Sequence, residues 1–533
     1  MKFFNIAGHA GWLRIVPFAI LIAMGNAQGQ EGVLFNIREY RVTGPARLPR
    51  LAVEEAVYPY LGPGRSADDV EAARVALEKA YHDRGFQTVS VVVPQQDPRR
   101  GVIRLEVAEA RVGRLRVNGA RFFLPSRIKA DAPSLAEGNV PDMKRVEKEI
   151  VALNRLADRR VTPELRAGVV PGTVDIDLNV EDKNPLHGSL ELNNRYSSNT
   201  TPLRLNGSLS HGNLYQLGHT GGFNFQVAPE NTDDAKVFSG YYLARVSDSV
   251  SLMLQGTKQD SDVAIVGGSA SIGRGHTVSL QALIDLPSQD KFYQTLSLGL
   301  DYKHFSDEVV SLGKKQFTID ETAIEYWPLS ANYGATWLAE KAFTEANTSL
   351  NLHLRGIGSG ERDYANKRYN ADGSYVFLRG DVAHTRDLRD DSQLFGKVQY
   401  QLADKPLVNN EQISGGGLGT VRGYLEATSL GDNGVFGTVE YRTRPLTGGS
   451  EAKPGTTPNE WRFHGFVDAG LVGIYDPLPG QRKRFGLASA GAGTRFKFAD
   501  HYNGSVDLAV PFISQTDTES GDVRVTFRGW ADF

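Results

Sequence analysis

Leu296-Ser297-Leu298-Gly299-Leu300-Asp301 alternates apolar residues with small or polar ones without a break. Side chains along an extended strand point to opposite faces in turn, so this stretch offers one apolar and one polar face; a helix cannot sort its residues in that way. The same texture recurs in Leu350-Asn351-Leu352-His353-Leu354, at Val506, Leu508, Val510 and Phe512, and at Val523, Val525 and Phe527 ahead of the terminal Phe533. From residue 184 onward the chain is rich in Gly, Asn, Ser and aromatics, and helical periodicity is absent. Alternating segments of roughly ten residues, sustained over about 350 residues at about 22 per strand with its connection, predict a transmembrane barrel of about 16 antiparallel strands. A water-soluble β-sandwich alternates in the same way. The length of the run, the aromatics Tyr241, Tyr242, Tyr293, Tyr326 and Trp327 near segment ends, and the aromatic last residue favour the membrane.

Composition narrows the function classes. The 533 residues carry 59 Lys+Arg against 62 Asp+Glu, a formal charge of -3, which provides no footprint for gripping a polyphosphate; no nucleic-acid partner is expected. The absence of Cys removes disulfide scaffolds, thiolate metal clusters and thiol nucleophiles. At the N-terminus Lys2 and Arg14 precede the apolar run Ile15 to Met24, then the small residues Gly25 and Ala27, which reads as a signal peptide, residues 1–27, cleaved after Ala27. That run contains Pro17 and is too short for a bilayer-spanning helix of about 20 residues. With no later run of this kind, a membrane-embedded chain must close its backbone hydrogen bonds as a barrel.

Ahead of the alternating region, residues 36–182 write one unit twice. Tyr40-Arg41-Val42-Thr43-Gly44 recurs as Leu115-Arg116-Val117-Asn118-Gly119, and the closing strand Ile103-Arg104-Leu105-Glu106-Val107 recurs as Ile176-Asp177-Leu178-Asn179-Val180. In the first copy Ser66 and Asp69 form a capping-box start, Val70, Ala73, Leu77, Ala80 and Tyr81 share a helical face, and Gly85 stops the helix. In the second, Pro141 and Asp142 start a helix whose face is Met143, Val146, Ile150, Leu153 and Leu156. The order is β-α-α-β-β, twice, with boundaries at 33–110 and 111–183, each about 75 residues and thus the size of a small domain. Both apolar stripes read as core.

That order resembles the polypeptide-transport-associated (POTRA) domain. Gly85-Phe86, then Val93-Pro94-Gln95-Gln96-Asp97 and Gly101, resemble the first POTRA domain of two-partner secretion transporters, the hemolysin/hemagglutinin secretion-activation family within the POTRA-plus-barrel superfamily. The resemblance implies a bacterial outer-membrane barrel with periplasmic POTRA domains that receive an unfolded secreted partner. It makes Gly85, Phe86, Pro94, Gln96 and Asp97 a candidate partner-binding region. Addition of the partner as a strand to a free sheet edge is the physical route; the sequence leaves open which edge is free.

Two further motifs extend the resemblance. Val421-Arg422-Gly423-Tyr424 is similar to the VRG(Y/F) motif of a loop that folds back into the barrel, and Phe466-Val467-Asp468-Ala469-Gly470 is similar to the F-x-D-x-G strand motif. In the family the loop arginine pairs with the strand aspartate, which names Arg422 and Asp468 here. The residue types make sense on their own terms: a loop in a wet lumen has little apolar surface to bury, and a forked guanidinium on a carboxylate fixes it efficiently. Phe466 and Asp468 share a strand face, Gly470 leaves room there, and Gly415, Gly416, Gly417 and Gly419 permit a tight path back. The bland alternatives are an ordinary lumenal ion pair and a surface arginine. The terminal Phe533 is similar to the assembly signal of outer-membrane proteins, implying membrane lipid and, during biogenesis, the barrel-assembly machinery as partners.

The chain departs from many such transporters at its start: Gln28 lies too close to the first strand for a plug helix of about 20 residues. We therefore expect no N-terminal plug, and occlusion of the resting pore by the loop carrying Arg422. Enzymatic patterns are weak. Ser311-Leu312-Gly313-Lys314 lacks the companion motifs of serine acylases, Gly415 to Gly419 lacks a surrounding βαβ unit, and the 11 His form no H-E-x-x-H pair. We assign no catalytic residue, cofactor or metal. The expectation is an exporter of a large β-rich partner; the alternatives are an assembly factor of the same superfamily, a barrel-borne hydrolase and a diffusion porin.

Overall fold

The computed structural model describes residues 34–44, 47–261, 263–266, 269–272, 274–307, 322–446 and 459–533. The signal peptide, the stretch in which a plug would lie, and Ser311 to Lys314 fall outside the described residues. The chain packs as two compact units. One gathers residues up to Leu115 with Ser134–Glu147 and Leu165–Ile176; the other holds Arg116–Pro133, Lys148–Glu164 and Asp177–Phe533.

The first repeat runs Glu39–Thr43, helix Arg50–Val57, helix Ala67–His82, Val89–Val92 and Val102–Glu109, with a small pairing of Phe35–Ile37 on Gly62–Arg65. Val102–Glu109 is central. It pairs in parallel with Glu39–Thr43, Val42 opposite Leu105, and antiparallel with Val89–Val92, Val91 opposite Val107. The helix Ala67–His82 starts where the sequence places it: Asp69 N donates to Ser66 Oγ at 3.3 Å and Ser66 N to Asp69 Oδ2 at 2.8 Å, which satisfies two orphan amides. Its face of Val70, Ala73, Leu77 and Tyr81 is buried with Ile103 and Leu105.

The second repeat runs Arg111–Asn118, helix Pro125–Ala130, helix Met143–Leu153, Arg159–Ala167 and Thr173–Asp182, with Thr173–Asp182 central in its sheet. The shared glycine of the two copies has one cause. At Gly44 and Gly119 φ is positive, and an added Cβ would strike the carbonyl oxygen of Val107 and Val180 respectively, the last residue of each closing strand motif. One expectation shifts: Leu156 lies beyond the helix. Asn154 ends it by exchanging two hydrogen bonds with the backbone of Val161, its Oδ1 accepting at 2.6 Å and its Nδ2 donating at 3.0 Å.

From Leu186 to Asp532 the chain forms a closed 16-strand antiparallel barrel. Closure joins Arg524–Asp532 to Leu186–Asn193 through a short register, Arg528 opposite Asn193 to Asp532 opposite Ser189, reinforced by Arg528 on Glu191 at 2.7 Å. Phe533 extends the seam: its amide and carbonyl exchange bonds with Gly188, whose missing side chain makes room for the ring. Thr322–Tyr326 and Leu329–Ala339 both pair with Phe292–Asp307 and form one strand interrupted at Trp327 and Pro328, because proline offers no amide to the ladder. Leu298, Leu300, Leu350, Val467, Leu508 and Val525 are exposed on the outer surface, as a lipid-facing band requires. Tyr326, expected among the interface aromatics, is instead fully buried with Tyr364, Tyr375 and Phe377. Among the described residues no helix is long and apolar enough to cross a membrane.

Candidate functional site

Strand alternation sets the inner wall. Val467 is exposed outward, so Phe466 and Asp468 of the strand Glu460–Gly473 face inward. The neighbouring strand Asn433–Arg442 brings Glu440 opposite Phe466 and Thr438 opposite Asp468, and the next, Arg484–Phe498, sets Gly491 opposite Phe466. The phenyl ring lies over Gly491, where a Cβ would collide with it.

Onto this wall folds the segment 404–432, which connects Gln393–Ala403 to Asn433–Arg442. Arg422 donates from Nε to Asp468 Oδ2 at 2.8 Å, from Nη2 to Oδ1 at 2.9 Å and from its backbone amide to Oδ2 at 3.1 Å. Its Nη1 donates to Glu440 Oε2 at 2.8 Å, and the guanidinium carbon sits 3.3 Å from the Phe466 ring centroid. Arg442 and Arg495 flank Glu440 at 2.8 Å and 3.0 Å, and His464 pairs with Asp507 at 2.5 Å. Three guanidiniums thus meet three buried carboxylates; Arg422 is 5% exposed and Asp468 0%, while Arg442 and Arg495 are half-buried at the edge of the cluster. Fork geometry, aromatic stacking and near-complete burial make this an interaction that lysine could not reproduce.

The rest of the motif packs around the pair. Val421 is buried with Phe436, Val472 and Leu487. Gly423 has φ of +95°, and Tyr424 Oη donates to the carbonyls of Ile513 at 2.8 Å and Ala488 at 3.1 Å. At Gly470 the vacant space is filled by the Phe436 ring, with Val421 Cγ2 3.3 Å from where a Cβ would stand.

The sequence reading missed the other anchors of this loop. Glu411 Oε1 accepts from Lys303 Nζ and Tyr326 Oη, both at 2.7 Å, while its carbonyl accepts from Arg379 at 2.9 Å and Gln401 at 3.1 Å. Glu426 meets Arg195 at 2.7 Å, and Asp432 accepts from the amides of Leu407 and Tyr475, both at 2.7 Å. Lys303, Tyr326, Arg379 and Gln401 lie on barrel strands remote from the one that carries Asp468, which places the segment within the lumen. Glu440 left a trace in the sequence: Val435, Val439 and Tyr441 alternate with inward Phe436, Thr438 and Glu440. Glu411, in a polar run without periodicity, left none.

The POTRA motif residues belong to a different place. Gly85 turns the chain at φ +102° and its carbonyl accepts from Met143 N at 2.8 Å. Phe86 packs against the first-repeat core, with Pro94 following the strand Val89–Val92. The Gln96 amide exchanges two bonds with the backbone of Arg104, at 2.6 Å and 2.9 Å, and so occupies the side of Val102–Glu109 that no strand covers there. Asp97 caps the turn Pro98–Arg100 through Arg99 N at 3.1 Å, and with Arg99 this holds its carboxyl below the ordinary range. Gln96 and Asp97 are thus already bonded within the first repeat, and Gly85 bonds the helix start of the second. Among the described residues no cluster of His, Asp and Glu has metal-site geometry.

Residues 35–110 match the model of the POTRA domain, ShlB-type, and residues 172–496 match that of the haemolysin secretion/activation protein ShlB/FhaC/HecB, over more than half of the chain. The chain belongs to this family. The curated relatives that match it are outer membrane transporters. The chain is similar to the outer membrane transporter CdiB of Escherichia coli O6:K15:H31 (strain 536 / UPEC), 29% identical over 201 residues, 38% of this chain and 34% of the relative, so the match spans about a third of that protein. It is also similar to CdiB of Dickeya dadantii (strain 3937), 22% identical over 76% of this chain and 72% of the relative. Among solved structures, CdiB from Escherichia coli superposes with a TM-score of 0.61 at 20% identity, over 96% of this chain and 93% of that one. BamA from Haemophilus ducreyi lacking POTRA domains 1–3 gives 0.55 at 17% identity, over 93% and 100%. These likenesses concern the fold.

Proposed function

We propose that this protein exports a secreted partner protein across the outer membrane by two-partner secretion. On this reading residues 1–27 are the leader, 33–110 and 111–183 are two POTRA domains that receive the unfolded partner, and 184–533 is the barrel through which it passes. The observation that carries the reading is the lumenal segment 404–432, held by Arg422 to Asp468 and Glu440 inside a closed barrel. A diffusion porin has no need of repeats in front of it, and an assembly factor would be expected to carry more of them.

In this mechanism the segment 404–432 is a latch that occludes the resting pore and holds a defined position while the partner is conducted. The first sheet offers an entry edge. Arg74 and Glu78 bond the backbone of Val91 and His82 that of Val89, so the strand Val89–Val92 is covered by the helix beside it. The opposite edge, Glu39–Thr43, carries no such cover among the described residues and suits strand addition. The Gly85 to Asp97 motif shapes this sheet and acts on the partner through it. With no nucleotide outside the cytoplasm, folding of the exported chain on the far side biases the traffic outward. Phe533 at the seam is what the barrel-assembly machinery reads during insertion.

Deletion of the gene should remove one exoprotein from the culture supernatant and leave other outer-membrane proteins at normal levels. Arg422→Ala and Asp468→Ala should each lower export while the barrel still inserts. A general loss of outer-membrane proteins would instead establish the assembly-factor reading.

A further inference from the structure

Within the larger compact unit lies a cleft of about 520 Å³ that the export reading does not use. Its floor is Phe123 and Leu153, its wall is formed by the hairpin ends at Leu217, Gly218 and Arg245, and Arg155 and Arg159 face into it. Five basic residues line it (Arg127, Lys148, Arg155, Arg159 and Arg245) against Asp131, Glu149 and Asp248. Arg127 is engaged with Asp131 at 3.8 Å. The excess is positive and poorly neutralised.

Arg159 shows this most clearly. It is 8% exposed, its Nε and Nη2 donate to the Leu153 carbonyl at 3.1 Å and 2.8 Å, and its guanidinium stacks over Phe123 at 5.1 Å, yet it makes no salt bridge. Burial pushes it below the ordinary arginine value, opposed in part by Asp131 and reinforced by the nearby Arg245 guanidinium. Asp131 and Asp182 are near enough to favour its charge, yet neither forms a salt bridge with it, and a buried cation without a contacting carboxylate is costly unless an anion completes the site.

The surroundings say which anion. Leu124, Leu217 and Val246 at the cleft are exposed apolar side chains, an unfavourable arrangement in water and a favourable one against acyl chains. Leu217 and Val246 close hairpins whose outward faces carry the exposed Phe223 and Phe238. On that same outward face, next to Gly218 and Arg245, His219 and Tyr242 form a hydrogen-bonded pair at 2.7 Å. A tyrosine with its hydroxyl engaged at the end of a lipid-facing strand marks the level of the headgroups. A cationic cleft with an apolar mouth at that level matches an amphiphile with a phosphate head.

We propose that this cleft binds the phosphate headgroup of an anionic phospholipid from the periplasmic leaflet, held by Arg155, Arg159 and Arg245 with its glycerol and first methylenes against Leu124, Leu217 and Val246. The bound lipid neutralises a positive cluster that the protein leaves open, and it ties the segment Lys148–Arg159 to the membrane.

The test uses full-length protein in a neutral detergent and native mass spectrometry. Phosphatidylglycerol and phosphatidylcholine of equal chain length are added, alone or with inorganic phosphate or an acidic peptide as competitor. The wild type should retain phosphatidylglycerol preferentially. Arg155→Glu and Arg245→Glu, both at exposed positions, should each weaken retention roughly fivefold and their combination by more than about tenfold, whereas Arg155→Lys should not. Lys148→Glu provides an independent reading on a different element, and heat-modifiable gel mobility reports that every variant keeps a folded barrel. Equal retention by wild type and the double variant, or equal retention of the two lipids, overturns the proposal. Displacement by inorganic phosphate makes the cleft a soluble-anion site, displacement by the peptide makes it a polypeptide site, and either result also overturns it.

Discussion

Arg422→Ala gives the sharpest test of the lumenal clamp, because the structure fixes what the truncation leaves behind. It removes three charge-assisted hydrogen bonds, two to Asp468 and one to Glu440, and the cation stacked on Phe466. Glu440 keeps Arg442 and Arg495. Asp468, at 0% exposure, keeps only the Arg422 backbone amide. Stranding a buried charge in this way costs about 3–5 kcal/mol, which acts on docking of the segment 404–432 and not on the barrel ladder. The docked fraction should therefore fall roughly 150- to 4,000-fold relative to the undocked one. Asp468→Ala is gentler at about 1.5–3 kcal/mol, since Arg422 then still faces Glu440. In the double variant no carboxylate is stranded at position 468, so the two effects must be sub-additive, with a coupling of about 2 kcal/mol. Hydrogen exchange at the amides of residues 416–426 in full-length protein measures all three. Unchanged protection in Arg422→Ala, or single effects that add within about 0.5 kcal/mol, would refute the reasoning.

Other perturbations probe separate parts of the molecule. Gly470→Ala drives a methyl into the Phe436 ring and towards Val421, and should weaken docking by about 1–3 kcal/mol, read as raised exchange at residues 420–424 with normal heat-modifiable mobility. Glu411→Gln loses the Lys303 ion pair and should release residues 407–412 by about 1.5–3 kcal/mol, with a smaller rise in exchange at residues 420–424; unchanged exchange there would show that the anchors act independently. Ser66→Ala should cost the helix Ala67–His82 about 0.5–2 kcal/mol, seen as faster exchange in its first turn. The same cap is acid-labile. The Ser66 amide holds the Asp69 carboxyl below its ordinary 3.8, so its contribution is complete above that value and is lost as pH falls through the lower folded value. First-turn protection should decline only on strong acidification, and less in Asp69→Asn, which has no such carboxylate to protonate.

What was legible in the sequence follows from how locally each feature is specified. The period-two segments and the tandem repeat could be read directly because alternation and recurrence are properties of neighbouring residues, and the barrel and the β-α-α-β-β order stand as expected. Arg422 and Asp468 were nameable only through motifs 46 positions apart in the chain; nothing in periodicity joins them. Tyr326 was misread as an interface aromatic because its register puts it opposite Lys303, on the inward face it shares with Ile324, where its ring joins the lumenal core beside Glu411. Leu156 was misread as helix because its spacing continues the stripe, whereas a side-chain bond from Asn154 to Val161 ends the helix first. Glu411 owes its importance to residues more than a hundred positions away, such as Lys303, and no local pattern encodes that.

The kind of force holding the lumenal segment bears on how it could be released. Its anchors are Glu411 on one side, Arg422 and Asp432 on another and Glu426 on Arg195, all of them charged, with Val421 and Tyr424 supplying a small packed patch. A plug held by burial of a large apolar face would expose that face on leaving, at about 25 cal/mol for each Å² returned to water. Here the departing groups are ions whose hydration offsets much of the lost pairing, so each contact is strong while water is excluded and weak once it enters. Release of one anchor then lowers the cost of releasing the next, because water reaches the neighbouring pair. A segment built in this way is firmly held at rest and still displaceable once water enters the lumen. The prediction that separates this from a rigid stopper is that exchange at residues 416–426 should accelerate steeply with ionic strength once Asp468→Ala has opened the first pair, and very little in the wild type, whose pairs are buried beyond the reach of salt. Equal salt dependence in both proteins would show that the anchors act independently.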